Sequence, residues 1–401
     1  MKKALHILAA LLCAASCIYP YDPDVEQAPE GVLAVEGDIL VGGVSTIRLG
    51  LMASLYPDAS RNAAGGESRG LGDAKAWIED DAGTVYEGTR ESADEVFGDG
   101  RSPFLFQYTF PTGNAPGDRK YRVCIEALGA RYASDWTLPL EAPSIRSIDF
   151  RADGFQVTVN VSLDGGAEST GYALLSYDET WEFHTEYALQ FEVDTLSWIV
   201  QKPLRPVQQP NYWCWKHQDA RVMYPVDFTG RTENGVTDYP LLSFPRTNNR
   251  NHRRYCVNVK ARTITKDTYR YLHNLDEVAG GGSDLFTPNP GEIQGNIRCE
   301  TDPERMALGY VTTSMLSVRR AFLDGRYYRV PQPNYAALAY IIPNDYPQYY
   351  QYGYLPLIEN PHTDYDPRVE GGYGWGGPRC YDCVADGGTK EIPEHWYEDA
   401  E

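Results

Sequence analysis

The sequence lacks the features of several protein classes. After residue 16 no stretch approaches the roughly 20 apolar residues that a membrane-spanning helix needs. No block of lysine or arginine interrupts an acidic chain with a net charge of -20, which argues against nucleic-acid binding by phosphate neutralisation. No His-Glu-x-x-His zinc motif and no repeat of solenoid length is present. A hydrolase without a recognisable motif is still compatible with these absences.

The residues that are abundant favour an exported β-protein. The chain has 401 residues, enough for two or three domains with proper cores. It contains 30 tyrosines, 8 tryptophans, 37 glycines and 27 prolines, a composition typical of β-rich, loop-rich proteins outside the cytoplasm.

The first sixteen residues have the pattern of a secretory signal peptide. Two lysines follow Met1, an apolar run extends from Ala4 to Ala15, and small residues precede Cys17. The apolar run is too short to cross a membrane before the chain turns acidic. We therefore expect residues 1–16 to be removed, which lowers the net charge from -20 to -22 through the loss of Lys2 and Lys3.

Cys17 is the predicted attachment point of a lipid. The small residues before it resemble the lipobox of bacterial lipoproteins, in which a diacylated cysteine becomes the first residue of the mature chain. Several acyl chains would hold the protein on the membrane almost permanently, because each buried methylene contributes about 0.8 kcal/mol. Residues 17–30, rich in acids and proline, would form a flexible tether that resembles a surface-export signal. The alternative is an ordinary secretory signal followed by a chance cysteine.

Six cysteines remain after removal of the signal and acylation of Cys17, and they favour structural disulfides. An exported chain meets an oxidising compartment, so up to three disulfides are expected, with fifteen possible pairings. The spacing of Cys380 and Cys383 also fits a redox or zinc site, but the surrounding sequence has the composition of a loop. The candidates are Cys124, Cys214, Cys256, Cys299, Cys380 and Cys383.

Alternating apolar residues predict a mainly β fold. Residues 31–142 contain six or seven short strands at the spacing of an immunoglobulin-like β-sandwich. Residues 143–401 are expected to form a larger β-rich domain with long aromatic loops and one short helix. Thr265 would cap that helix, and Tyr271, Leu272, Leu275 and Val278 would form its apolar stripe.

Three further expectations concern the second half of the chain. Residues 203–253, rich in proline and weakly periodic, are interpreted as long excursions. A single strand is predicted from Leu308 to Phe322, and the tail from Val330 to Glu401 is expected to be mostly irregular.

Several separated motifs together resemble one protein family. They are Cys17, Val35-Glu36-Gly37, the segment Tyr177–Phe183, Cys214-Trp215, Asn289-Pro290, Gly295-Asn296-Ile297, Cys299, Leu308-Gly309-Tyr310, Cys380-Tyr381-Asp382-Cys383, Gly387-Gly388-Thr389 and Trp396. In order and spacing they are similar, almost end to end, to the Bacteroidota lipoproteins grouped as domain of unknown function 4249. The resemblance implies an outer-membrane lipoprotein, often associated with a TonB-dependent transporter, with no established activity or catalytic residues.

The carboxylates Asp178, Glu179 and Glu182 are the strongest candidates for chemistry. With Trp181 beside them they offer the paired acids and aromatic platform of a glycosidase. On a strand, however, Asp178 and Glu182 share one face and Glu179 points to the other. A structural role and a role in ligand binding are the competing interpretations.

Tyrosines between residues 335 and 354 form a second candidate binding region. Tyrosine gives broad contact area with a polar tip, which suits recognition of proteins or sugars. The alternative is that these rings pack the loops onto the β-domain. The residues chosen as candidates are Tyr346, Tyr349, Tyr350 and Tyr352.

Three functions follow as hypotheses from these observations. The first is a non-enzymatic, surface-exposed outer-membrane lipoprotein that binds a glycan, a peptide or a partner protein, as an accessory of a TonB-dependent β-barrel transporter. The second is a glycan-active hydrolase that uses Asp178, Glu179 and Glu182. The third is a structural or adhesive surface protein. No cofactor, metal or nucleic acid is expected.

Overall fold

The computed structural model describes residues 32–51, 71–92, 104–166, 169–220, 222–279, 295–330, 338–359 and 372–397. The predicted signal peptide, Cys17 and the acidic tether lie outside these residues. Within them the fold is mainly β, as predicted.

The described residues as far as Asp164 form ten strands. They are β1 (Leu33–Val41), β2 (Val44–Leu51), β3 (Lys75–Asp80), β4 (Val85–Glu87), β5 (Thr89–Ser92), β6 (Phe104–Pro111), β7 (Tyr121–Ala127), β8 (Ala130–Ser134), β9 (Ser144–Asp153) and β10 (Gln156–Asp164).

The described residues after Asp164 form the other strands and three α-helices. The strands are β11 (Tyr172–His184), β12 (Glu192–Asp194), β13 (Ile199–Gln201), β14 (Trp213–Asp219), β15 (Tyr224–Asp227), β16 (Gly235–Pro245), β17 (Arg254–Thr263), β18 (Ile297–Cys299), β19 (Ala307–Met315), β20 (Ser317–Asp324), β21 (Leu338–Tyr340), β22 (Leu355–Glu359) and β23 (Tyr373–Gly376). The helices are α1 (Lys266–Ala279), α2 (Tyr346–Gln351) and α3 (Pro378–Tyr381).

Two five-stranded sheets form the first sandwich. Their strand orders are β19-β1-β2-β6-β5 and β18-β8-β7-β3-β4. Apolar side chains of both sheets, among them Leu33, Ile47, Ile78 and Tyr121, form one buried cluster. Strands β18 and β19 come from beyond residue 142, so the sheet pairing of this sandwich extends across the predicted boundary at that residue.

The second sandwich contains the segment from Tyr177 to Phe183 at its centre. A sheet of order β14-β11-β17-β20, with β15 beside β11, packs on a sheet of order β16-β10-β9. Residues of both sheets share a second buried cluster, which includes Val159, Trp181, Phe244 and Tyr255. A smaller sheet, β21-β23-β22, lies with α2 around buried Trp375.

Three motifs that are far apart in the sequence meet where β1 pairs with β19. In this parallel pairing Val35 lies opposite Gly309 and Gly37 opposite Val311. A Cβ atom on Gly309 would lie 1.8 Å from the carbonyl oxygen of Val35, and its φ of +134° also favours glycine. The Asn296 side chain donates to and accepts from the backbone of Val311 at 2.7 and 2.8 Å. Glycine and asparagine at these positions therefore permit close approach of the strands.

Helix α1 begins where the sequence predicts. The Thr265 hydroxyl oxygen accepts a hydrogen bond from the backbone N–H of Thr268 at 3.1 Å, which is the expected N-cap interaction. Leu272 packs near Tyr172 and Leu174 of the second sandwich. The side chains of Leu275 and Val278, also placed in the predicted stripe, lie outside the described residues.

The interpretation of residues 203–253 as long excursions is wrong, because β14, β15 and β16 lie within them. Prolines within these segments obscure the alternation of apolar and polar residues by which strands are predicted. Pro240, for instance, is tolerated because β16 is an edge strand, and the register against β10 shifts next to it.

The single strand predicted from Leu308 to Phe322 is also wrong, because this segment holds two strands separated at Leu316. Strand β19 pairs with β1 in the first sandwich, whereas β20 pairs with β17 in the second. Apolar periodicity continues through the change of partner and so gives no sign of it.

Candidate functional site

A C-terminal strap, residues 372–397, lies along β14, an edge strand of the second sandwich. A disulfide joins Cys383 of the strap to Cys214 of β14, with an S–S distance of 2.09 Å. Next to it, Trp215 and Thr389 exchange backbone hydrogen bonds of 2.9 and 2.8 Å. A Cβ atom on Gly388 would lie 2.6 Å from that of Cys214, so glycine is needed for this contact. The two cysteine motifs and Gly387-Gly388-Thr389 thus build one attachment.

The other predicted disulfide candidates are thiols in the structure. They are Cys124, Cys256, Cys299 and Cys380. The close pair Cys380 and Cys383 is divided, because only Cys383 enters a disulfide. Within the part of the chain that the structure describes, no group of three or more histidine, cysteine or acidic side chains is placed to hold a metal ion.

Glu179, one of the three candidate carboxylates, lies inside the second sandwich. Its side chain is 2% exposed and forms an ion pair with Arg250, whose Nε donates to Oε2 at 2.8 Å. The Tyr255 hydroxyl donates to the same oxygen at 2.9 Å. The Arg250 guanidinium also lies 4.4 Å from the ring centre of Trp181, which faces the same core. Both Glu179 and Trp181 are therefore enclosed by protein.

Asp178 lies on the opposite face of β11 and has its own partners. Lys260 Nζ lies 2.8 Å from Oδ2, and the Asn258 amide donates to the same oxygen at 3.0 Å. Glu182 follows Asp178 by four positions along the strand, which corresponds to about 13 Å at the usual rise per residue. The paired acids of glycosidases lie about 5 to 9.5 Å apart.

Glu182 belongs to a row of side chains across the sheet. On β14 it pairs with Trp215, while on β17 and β20 the next positions in register are Arg254 and Asp324. Side chains at paired positions of neighbouring antiparallel strands lie about 5 Å apart. Three members of the row, Glu182, Arg254 and Asp324, line a cleft.

The cleft has a volume of about 400 Å³, within the range of small-molecule sites. Its walls come from three segments: Arg253 just before β17, Arg326 just after β20, and Trp396 with Tyr397 at the end of the strap. Its lining residues are Glu182, Arg253, Arg254, Phe322, Leu323, Asp324, Arg326, Trp396 and Tyr397.

Ion pairs hold two arginines of the cleft in place. Arg253 Nη1 donates to Oε1 of Glu182 at 2.7 Å. Arg326 donates from Nε and Nη2 to the two oxygens of Asp324 at 2.9 and 2.6 Å. The hydrogen bond from Arg326 holds the pKa of Asp324 below its usual value, although partial burial acts in the opposite direction.

Aromatic rings complete the cleft. The Arg254 guanidinium lies 4.0 Å from the ring centre of Phe322 and 5.8 Å from that of Trp396. Trp396 is buried edge-on against Trp215 at 6.5 Å, whereas the neighbouring Tyr397 is 72% exposed. The strap thus places one sealed ring and one solvent-facing ring at the cleft.

Two stacked histidines lie close to the cleft, at the end of β11. The ring centres of His184 and His252 are 4.1 Å apart. Arg329 Nη1 lies 3.0 Å from Nε2 of His184. The Nδ1 atom of His184 lies 2.7 Å from the carbonyl oxygen of Thr185. Burial lowers the pKa of both histidines, and the neighbouring His184 and Arg329 contribute to lowering that of His252 to about 3. The His252 ring is therefore neutral at pH 7.

The candidate tyrosines are divided between packing and exposure. Tyr346 is buried, with its ring centre 4.6 Å from that of Trp375. Tyr349 packs edge-on to Tyr354, and Tyr350 lies 5.9 Å from Trp198 while staying partly exposed. Tyr352 is 69% exposed. Among the candidate tyrosines, the exposed area is therefore concentrated on Tyr350 and Tyr352.

Sequence reasoning found Glu182 but missed the cleft arginines. A weak signal existed, because Arg253 and Arg254 form a doublet at the start of β17. Nothing in the sequence indicated that the turn after β20 would bring Arg326 beside them.

The architecture defines a class of protein: two β-sandwiches, the first completed by strands from late in the sequence, with a disulfide-bound C-terminal strap beside an arginine-lined cleft. The chain belongs to the family called domain of unknown function DUF4249, whose model matches residues 18–320. No curated protein matches the sequence. None of the described helices has the length and apolar character needed to cross a membrane.

Proposed function

We propose that this protein is a lipid-anchored binding protein of the outer-membrane surface, without enzymatic activity, that serves a TonB-dependent transporter. The lipobox before Cys17 supports the anchor, and the acidic tether supports exposure at the surface. The Cys214–Cys383 disulfide is typical of a chain exported from the reducing cytoplasm.

The observation that favours binding over hydrolysis is the state of the three carboxylates. Asp178, Glu179 and Glu182 each form an ion pair, with Lys260, Arg250 and Arg253 respectively. A glycosidase needs two carboxyl groups about 5 to 9.5 Å apart beside its substrate, whereas Asp178 and Glu182 are about 13 Å apart along β11 and Glu179 is buried in the core. A screen of polysaccharides with wild type and Glu182→Gln distinguishes the two functions, because turnover lost in the variant would support the hydrolase.

Cell fractionation tests the anchor. The Cys17→Ser variant should leave the membrane fraction, while Cys13→Ser, altered inside the discarded signal peptide, should stay with it. Protease added to intact cells should digest the wild-type protein if it faces the exterior. Retention of Cys17→Ser in the membrane fraction, or an unmodified thiol at Cys17 by mass spectrometry, would contradict the proposal.

A further inference from the structure

The cleft presents two oriented cations to solvent. A guanidinium carries five N–H donors, of which Asp324 takes two from Arg326 and Glu182 takes one from Arg253. The side chains of Arg253 and Arg326 are 52% and 65% exposed, so part of each group faces the water in the cleft. The carboxylates fix the direction of each guanidinium before any ligand arrives.

The two pairs act on each other electrostatically. Arg253 contributes to lowering the pKa of Asp324, after the larger effect of Arg326 itself. Glu182 likewise contributes to raising the pKa of Arg326, after the larger effect of Asp324. The four groups therefore form one charged network around the cleft, in which an arriving anion would be shared between two arginines.

From this geometry we infer that the cleft binds the carboxylate of an acidic sugar, a uronic acid within a glycan. The carboxylate would accept hydrogen bonds from Arg253 and Arg326, an arrangement that the planar guanidinium favours. The exposed ring of Tyr397 would pack against the apolar face of the sugar. This inference rests on the proposed binding function and names its ligand class.

Charge favours a carboxylate over a phosphate. Three guanidiniums and two carboxylates line the cleft, so a single negative charge balances them. The second charge of a phosphate would lie beside Glu182 and Asp324, which repel it. Orienting the arginines in advance also reduces the entropy lost on binding.

Another exposed arginine provides a matched control. Arg151 pairs with Asp238 at 2.7 Å and is 59% exposed, which resembles the pairing of Arg326 with Asp324. It belongs to β9, on the other sheet of the second sandwich, and is not among the residues that line the cleft. If surface charge in general controlled binding, substitution of either arginine would weaken ligand binding equally.

The test is isothermal titration calorimetry of the full-length mature protein with trigalacturonate and with neutral galactotriose at fixed salt. Trigalacturonate should bind at least about tenfold more tightly, the usual contribution of a charge-assisted hydrogen bond. Arg326→Gln and Arg253→Gln should each weaken binding by about tenfold or more, and Tyr397→Ala by less. Arg151→Gln should bind like wild type, and circular dichroism should show that every variant is folded.

Three results would overturn the inference: no binding of trigalacturonate, equal binding of the neutral sugar, or equal weakening by Arg151→Gln. Inorganic phosphate at the same salt concentration should compete weakly, and strong competition would assign the cleft to phosphate instead. Loss of sugar binding alone leaves the proposed surface function standing if the protein still co-purifies with a transporter. Loss of both would reject the two together.

Discussion

At the scale of single residues, the ion pair of Glu179 with Arg250 is the most heavily buried charge interaction described. Removing one partner leaves the other charged and without compensation inside the sandwich, which costs about 3 to 5 kcal/mol. We therefore expect Glu179→Gln to lower the free energy of unfolding, measured in urea, by at least about 3 kcal/mol.

The double variant Glu179→Leu with Arg250→Met should recover much of that loss, because apolar residues of similar volume often replace a buried pair without cost. Glu182→Gln is the matched control, since Glu182 has an exposed partner in Arg253. An effect of Glu182→Gln as large as that of Glu179→Gln would contradict the distinction between the core pair and the cleft pair.

The stacked histidines predict a dependence of stability on pH. The pKa of His252 is about 3 in the folded protein, mainly because the ring is buried, against an ordinary value of 6.5. Below about pH 6.5 the unfolded chain therefore binds a proton at His252 that the folded chain does not bind. The free energy of unfolding is highest above that pH and falls as the pH drops towards 3.

Urea unfolding at pH 7 and pH 4 measures this effect. Wild type should lose about 2 to 3 kcal/mol more than His252→Gln over that interval. His217→Gln, altered at a ring that is about half exposed, should behave like wild type. Equal loss in wild type and His252→Gln would show that another group controls the acid sensitivity.

At the scale of elements, the disulfide holds the strap against β14. It links residues 169 positions apart, for which the chain-entropy model gives a stabilisation of about 5 kcal/mol. Replacing Cys214 and Cys383 by serine should lower the melting temperature and abolish the effect of dithiothreitol on it.

Cys380→Ser keeps this disulfide and is the control, so its melting temperature should still fall on reduction. The Cys214→Ser, Cys383→Ser protein should also bind any cleft ligand more weakly, because Trp396 and Tyr397 belong to the strap. A melting temperature of wild type that reduction leaves unchanged would contradict a structural role for the disulfide.

Elements were predictable from the sequence where one face is apolar and the other polar. Strand β10 was predictable in this way, because Val157, Val159 and Val161 alternate along it and are buried. Edge strands are harder to predict from alternation, because an edge tolerates proline. Strand β16, which contains Pro240, is an example. Periodicity also says nothing about pairing, so the shift from β19 to β20 and the meeting of Arg253 with Arg326 required the structure.

At the scale of the whole molecule, the first sandwich depends on strands from distant sequence. β19 covers the edge of β1, and β18 covers the edge of β8. Buried Val311 of β19 also belongs to the core of this sandwich. A fragment of residues 31–142 would leave both edges and part of that core open, and we expect it to show no cooperative thermal unfolding.

A fragment in which residues 295–316 follow residue 142 through a flexible linker should unfold cooperatively, because it contains β18 and β19. Circular dichroism during heating distinguishes the two fragments. A cooperative transition of residues 31–142 alone, close to that of the full chain, would show that these residues are a self-sufficient domain.

The proposed function is tested most directly by what accompanies the protein in the outer membrane. Wild type and Cys17→Ser, each carrying the same C-terminal affinity tag, would be purified in mild detergent from a host that holds the native neighbouring genes, and their partners identified by mass spectrometry. A TonB-dependent β-barrel should be enriched with the wild-type protein and absent from the Cys17→Ser sample. Wild type recovered alone from intact outer membranes would contradict the account.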